Sequence, residues 1–181
     1  MKRVVVLGNS GSGKTTLAAE LAGIMGCGHI ELDAIRHLPG WVEIDRETFR
    51  RVVDERTSAA SWVLCGNASA VADIALSRAD TVVVFDLPRW LVMARVLRRT
   101  IKRAVLHQEL WNGNRETLRN VLALGDPHRS IVAWAWTQHH RYRGMYLALS
   151  RRQEMVGKEF VFLRTRGDAR RFLATAAALA P

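Results

Sequence analysis

The chain has 181 residues, 49% hydrophobic and 24% charged, the size and composition of one ordinary globular domain, which excludes wholesale disorder. Its 27 lysines and arginines outnumber 17 aspartates and glutamates, giving a formal net charge of +10. That excess is local, because Arg89 to Arg152 holds 13 basic residues against only Glu109, Glu116 and Asp126, while the rest carries 14 of each sign.

In chain order, Val4 to Leu7 reads as a buried strand that runs into a glycine-rich loop. A helix over Thr15 to Met25 follows, then a strand over His29 to Leu32 and a helix over Asp45 to Ala60. Strands over Trp62 to Cys65 and Thr81 to Phe85 come next. Pro88 to Val105 forms a helix that starts on proline, where a missing N–H is harmless. Leu106 to Ser130 breaks the rhythm, being polar with Gly113, Gly125 and Pro127, and reads as an insertion over one end of the sheet. A long helix over Ile131 to Ser150, a strand over Phe160 to Leu163 and a helix over Gly167 to Ala180 complete the chain. The strands are β-branched or aromatic and barely alternate, as expected of parallel strands covered on both faces. Strands alternating with helices imply right-handed crossovers in a single α/β domain over residues 1–181.

Cys27 and Cys65 match neither a metal-ligand spacing nor a disulfide framework, so a cytoplasmic location is expected. The apolar run in MKRVVVLGNS is too short for a secretory signal, and no stretch approaches the roughly 18 apolar residues of a membrane span. A membrane partner is therefore not expected, and the chain is read as a monomer or homodimer.

The strongest motif is Gly8-Asn9-Ser10-Gly11-Ser12-Gly13-Lys14-Thr15, which matches the Walker A pattern G-x-x-x-x-G-K-[ST] between a strand and a helix. Its glycines let backbone amides wrap phosphate oxygens, and the following helix N-terminus adds fixed positive potential. Gly8, Ser10, Gly11, Ser12, Gly13, Lys14, Thr15 and Thr16 are therefore the expected nucleotide contacts. Lys14 would reach the β- and γ-phosphates of ATP, and the Thr15 hydroxyl would ligate Mg²⁺. Switches, motors, GTPases and small-molecule kinases all use this loop. A small domain, one insertion and the lack of an N-K-x-D guanine motif favour a kinase.

Phe85-Asp86-Leu87-Pro88, followed by Arg95 and Arg99, resembles the helix leading into the lid of nucleoside monophosphate kinases. The whole chain resembles the adenylate-kinase-like P-loop kinases, a group that includes shikimate and gluconate kinases. Leu32-Asp33, Gly66-Asn67, Leu110 to Glu116 (LWNGNRE) and the Trp134/Trp136 helix are similar to a bacterial family labelled DNA topology modulation protein (FlaR-like) or adenylate-kinase-related. The resemblance implies a three-layer α/β/α sandwich with a five-stranded parallel sheet and an inserted helical lid at about residues 103–141. It further implies that Asp33 meets the acceptor hydroxyl, as base or in the magnesium shell, where its bland alternative is a cap on the helix after the strand, and that Arg95 and Arg99 point at the phosphates. Arg166 would stack on the adenine.

Other residues are read from their chemistry. Arg36 is either an anion-binding fork for the acceptor or a solvated helix arginine. Trp41 packs a turn at Pro39-Gly40 or lines the acceptor pocket. Gly66 and Asn67 follow the third strand, where Asn67 is an acceptor contact or a turn residue. Cys65 stands where adenylate kinases carry an acid, and a thiol suits Mg²⁺ badly, so a buried structural role is expected. Asp86 ends a Walker B-like strand, but the resemblance implies a structural Asp there, before the lid helix. Arg115 and Arg129 would close over the nucleotide. His107, His128, His139 and His140 lack a metal spacing, and Trp134 and Trp136 are read as core residues.

Two functions follow. The first is an ATP- and Mg²⁺-dependent kinase acting on a small-molecule acceptor, a nucleoside or nucleotide before other metabolites. The second is an ATP-binding nucleic-acid-associated regulator, or a kinase acting on a nucleic-acid end, suggested by the basic segment.

Overall fold

The computed structural model describes residues 1–67, 69–115 and 130–179. Five parallel strands form one sheet in the order β2-β3-β1-β4-β5: β1 (Arg3–Gly8), β2 (Gly28–Glu31), β3 (Trp62–Cys65), β4 (Thr81–Phe85) and β5 (Glu159–Leu163). The helices are α1 (Lys14–Met25), α2 (Leu32–Arg36), α3 (Arg46–Thr57), α4 (Ala72–Arg78), α5 (Arg89–Val105), α6 (Ile131–Ser150) and α7 (Arg166–Ala178). The expected α/β sandwich is what the chain forms.

The strand pleat divides the core into two layers. Val4, Val6, Val63, Cys65, Val83 and Phe85 face one side, where Leu17 and Leu21 of α1 and Val92 and Val96 of α5 cover them. Val5, Leu7, Trp62, Leu64, Val82 and Val84 face the other, against Phe49 and Val53 of α3 and Tyr146 of α6. Each fully buried valine in such a sheet contributes about 1.5–3 kcal/mol by leaving water. Trp62 is 1% exposed and donates its indole N–H to the Thr57 carbonyl at 3.0 Å, so its burial leaves no orphan donor.

Three helix starts, those of α3, α6 and α7, carry side-chain caps. Asp45 accepts from the Thr48 amide at 2.8 Å, and Thr165 and Asp168 form a capping box at the head of α7. The head of α1 has no side-chain cap, and Gly13 precedes it at φ 101.

The short helix α4 was not expected from the sequence, and the helix that holds Arg36 had no expected bounds. The second strand ends at Glu31 rather than Leu32, because Leu32 turns into α2 and packs beneath Gly66, where an added Cβ would lie 2.8 Å from Leu32 Cβ. Between α5 and α6 the described residues contain one 3₁₀ turn, Trp111–Gly113, and an isolated bridge between Glu109 and Arg115. The remainder of the expected lid, 116–129, lies outside the described residues, as do His128 and Arg129.

The loop after β1 presses on α5. Gly11 sits at φ 74, and a Cβ there would meet Val96 Cγ2 at 2.4 Å and the Val92 carbonyl at 3.2 Å. Gly11→Ala combines a left-handed backbone with overpacking against backbone atoms, and is expected to destabilise by about 1–3 kcal/mol. Thermal unfolding reads this as a lowered Tm, and an unchanged Tm would show that the loop and helix separate freely.

Candidate active site

A parallel sheet binds ligands beyond the carboxyl ends of its strands, where the chain direction of winding reverses. Here that point lies at β1, from which the chain departs first to β2 and β3 and then to β4 and β5. A cleft of about 1230 Å³ opens there, lined by Ser10, Gly11, Gly13, Lys14, Thr15 and Thr16 of the loop and by Glu31, Asp33, Arg36 and Asn67. That volume exceeds the roughly 300–1,000 Å³ typical of a pocket for one small ligand.

Arginines of α5 reach the loop from the opposite wall. Arg95 donates to the Ser12 carbonyl at 2.8 Å, and Arg99 donates to the Ser10 hydroxyl at 2.9 Å. They are one helical turn apart, so both emerge on the same face. Burial lowers the pKa of Lys14, while Asp33, Cys65 and Glu31 act the other way and Arg99 adds to the lowering. A polyphosphate set against Lys14 would favour its charged form.

The sequence reading missed Glu31. One carboxylate oxygen accepts from the Thr15 hydroxyl at 3.2 Å, and the other accepts from the Trp111 indole N–H at 2.9 Å. Asp33 is two residues on, in the first turn of α2 rather than at the strand end. The signal available was the acidic pair flanking Leu32, which places two carboxylates at the open end of a parallel strand. Asn67 does line the cleft, yet its amide is engaged with the loop: Nδ2 donates to the Gly8 carbonyl at 2.6 Å and Oδ1 accepts from the Gly8 amide at 3.3 Å.

These donors fit a magnesium ion. Thr15 Oγ1 and Glu31 supply hard oxygens beside the phosphate loop, and Mg²⁺ usually takes one or two protein oxygens with phosphates and water completing its shell. Among the described residues no cluster of three or more His, Cys, Asp or Glu side chains could hold a metal by itself. Cys65 lies 3.9 Å from Thr15 Oγ1, but burial and Glu31 push its thiol up to about 12, so it stays neutral and soft.

His29 Nε2 lies 3.3 Å from Cys65 Sγ, which has the outline of a Cys–His nucleophile. The direction of the shifts argues against it, since a reactive cysteine needs a lowered pKa. Burial lowers His29 and raises Cys65, so both groups rest neutral. With its pKa near 12, Cys65 carries about a thousandfold less thiolate at pH 8 than an ordinary thiol. Iodoacetamide is therefore expected to label half-buried Cys27 and spare Cys65 in the native protein. Equal labelling rates, read by mass spectrometry, would contradict this.

The acceptor side is walled by two loops clasped together. Residues 37–43 are pinched by a bridge between His37 and Glu43, and residues 109–115 by the bridge between Glu109 and Arg115. Asn112 donates to the carbonyls of Ala34 and His37, and Asn114 donates to that of Leu38 while accepting from the Trp41 amide. The Trp41 indole N–H reaches the Arg115 carbonyl at 3.2 Å. Trp41 and Asn112 hold φ of 61° and 56°, a strained state for a bulky residue such as Trp41. His37 meets the Trp41 ring edge-on at 5.4 Å and stacks against Trp111 at 6.3 Å between centroids.

Several expected roles change with these placements. Arg36 donates from one guanidinium nitrogen to both oxygens of Glu43 at 2.9 Å in a solvent-exposed pair, as a solvated helix arginine does. Arg115 pairs with Glu109 at 3.6 Å and is not among the cleft-lining residues. Gly66 serves packing over Leu32. Trp134 lines the cleft, and Trp136 is 53% exposed with the Arg89 guanidinium 3.4 Å above its ring, so neither is a core residue. Asp86 is buried and ion-paired with Arg143 at 2.9 Å and Arg164 at 3.7 Å, a structural placement. His139 is buried against the Leu87 carbonyl at 3.0 Å. A second hollow of about 430 Å³ lies on the far side of Gly11–Gly13, lined by Thr165, Arg166 and Arg170.

No protein-family model matches the chain, and no curated protein matches it. Among solved structures, it is similar to a shikimate kinase from Bacteroides thetaiotaomicron, at 16% identity over 98% of this chain and 97% of that one, with a TM-score of 0.55. It is also similar to shikimate kinase from Acinetobacter baumannii in complex with shikimate, at 18% identity over 99% and 92%, with a TM-score of 0.53. The likeness is one of fold. It agrees with the expected α/β sandwich, whereas the narrower resemblance, to the DNA topology modulation family, finds no support.

Among the described residues no helix is long and apolar enough to cross a membrane.

Proposed function

We propose that the protein is a phosphotransferase that uses ATP and Mg²⁺ to phosphorylate a small-molecule acceptor, with a nucleoside or nucleotide the leading class. The observation that carries this reading is one cleft that joins the phosphate loop, two arginines aimed at that loop and the Asp33 carboxylate on the opposite wall.

The loop amides and Lys14 hold the β- and γ-phosphates, and the hollow beside Arg166 takes the adenine. Thr15 and Glu31 would hold Mg²⁺, which supplies charge neutralisation across the β- and γ-phosphates. Asp33 orients the attacking hydroxyl and takes its proton, while Arg95 and Arg99 stabilise charge on the transferred group. The clasped loops and residues 103–141, the proposed lid, keep water from competing with the acceptor. Transfer is direct and in line, without a phosphoenzyme.

A screen of hydroxyl and phosphate acceptors, following ADP release, is expected to find at least one that raises turnover well above the basal rate. EDTA is expected to abolish that rise. A flat response across the screen would replace the kinase with a slow ATPase.

The nucleic-acid reading draws less support. Among the described basic residues of that segment, Arg95 and Arg99 reach the phosphate loop, Arg89 lies over Trp136 and Arg143 pairs with Asp86, while Arg98, Lys102, Arg141, Arg151 and Arg152 are exposed.

A further inference from the structure

Asn9 belongs to the phosphate loop but not to the residues that line the cleft. It is 5% exposed, and both ends of its amide are used. Nδ2 donates to the Ala135 carbonyl of α6 at 2.7 Å, and Oδ1 accepts from the Ser10 amide at 2.8 Å. With a carbonyl on one side and an N–H on the other, only this orientation of the amide satisfies both.

These bonds join three elements. Ser10, whose amide Asn9 holds, accepts on its hydroxyl from Arg99 of α5 at 2.9 Å. A path Ala135–Asn9–Ser10–Arg99 therefore runs from α6 across the loop to α5, and its first step spans 126 positions of sequence. Ala135 lies inside α6, where a helical carbonyl already accepts the amide four residues on, so Asn9 uses its second lone pair. The helix does not depend on this bond. The loop gains a fixed point from it, next to the residue that meets Arg99.

We infer that Asn9 is a positioning residue for phosphoryl transfer: anchored on Ala135, it fixes Ser10 and so holds Arg99 at the transferred group. This inference rests on the kinase reading, in which Arg99 stabilises charge on that group. Asn9 touches no reactant and acts through Arg99.

Calorimetry on the intact protein with Mg²⁺ tests this with two probes. AMP-PNP stands in for bound ATP, and ADP with aluminium fluoride sets a planar group where the phosphoryl group is in transit. Asn9→Ala is expected to weaken the fluoride complex about tenfold, and AMP-PNP by less than about threefold. Added to Arg99→Ala, it should weaken the fluoride complex no further, because the two residues lie on one path. No weakening, equal weakening of both probes, or independent losses in the double variant overturn the inference and leave the kinase reading intact. A wild type that binds AMP-PNP but not the fluoride complex also overturns it. Asn9→Asp is nearly isosteric, keeps the acceptor for Ser10 and loses only the donor to Ala135. It repeats the same measurements should Asn9→Ala unfold, with the same outcomes deciding. If the wild type binds neither probe, the kinase reading and the inference fall together.

Discussion

Asp33→Asn is expected to lower phosphoryl transfer by about 10²- to 10⁴-fold, the usual worth of a positioned general base. Asparagine keeps the shape and a hydrogen bond to the hydroxyl but cannot take its proton. Nucleotide affinity should change little, because the loop amides and Lys14 hold the phosphates and Glu31, not Asp33, touches Thr15. Steady-state ADP release and calorimetric ATP binding separate the two effects. Parallel losses in transfer and in affinity would assign Asp33 to holding Mg²⁺ or to the fold instead. Glu31→Gln supplies the contrast, since it should raise the Mg²⁺ concentration needed for half-maximal activity.

Arg99→Ala is expected to reduce kcat by about 10³- to 10⁵-fold, the range measured for arginines that meet charge developing on a transferred phosphoryl group. Its guanidinium donates to Ser10 Oγ at 2.9 Å, which places it beside the bend of the loop. Arg99→Lys should recover only part of the loss, because an ammonium lacks the planar fork. A fall in ATP affinity with kcat preserved would instead make Arg99 a clamp on bound nucleotide. Arg95 serves as a comparison, since it also binds the Ser12 carbonyl and its removal should disturb the loop itself.

The parallel sheet could be read from β-branched runs such as Val4 to Val6 and Val82 to Val84, whose burial on both faces suppresses alternation. The phosphate loop was equally legible, because its function depends on residue type at fixed spacing. What escaped the reading depends on where side chains turn after a short element. Ending the second strand one residue late hid Glu31 behind Asp33. The Arg36–Glu43 grip needs the turn between His37 and Glu43, which local propensity does not specify. Trp111 lay inside a noted motif, yet its contact with Glu31 spans 80 positions of sequence. Trp136 was read as core from its hydrophobicity, whereas a cation over its ring lets it stay exposed.

The tight seat of Gly11 against Val92 and Val96 has a thermodynamic consequence. Arg95 and Arg99 belong to the same helix as those valines, so loop and arginines are fixed to one another when the chain folds. The entropy of immobilising two long side chains, about 2 kcal/mol of rotamer freedom each, is thus largely met before a nucleotide arrives. Binding in such a preorganised half-site carries only a small ordering penalty, so more of its contact energy remains to stabilise the transition state. Two of the basic residues between Arg89 and Arg152, Arg95 and Arg99, thus work as part of a rigid frame.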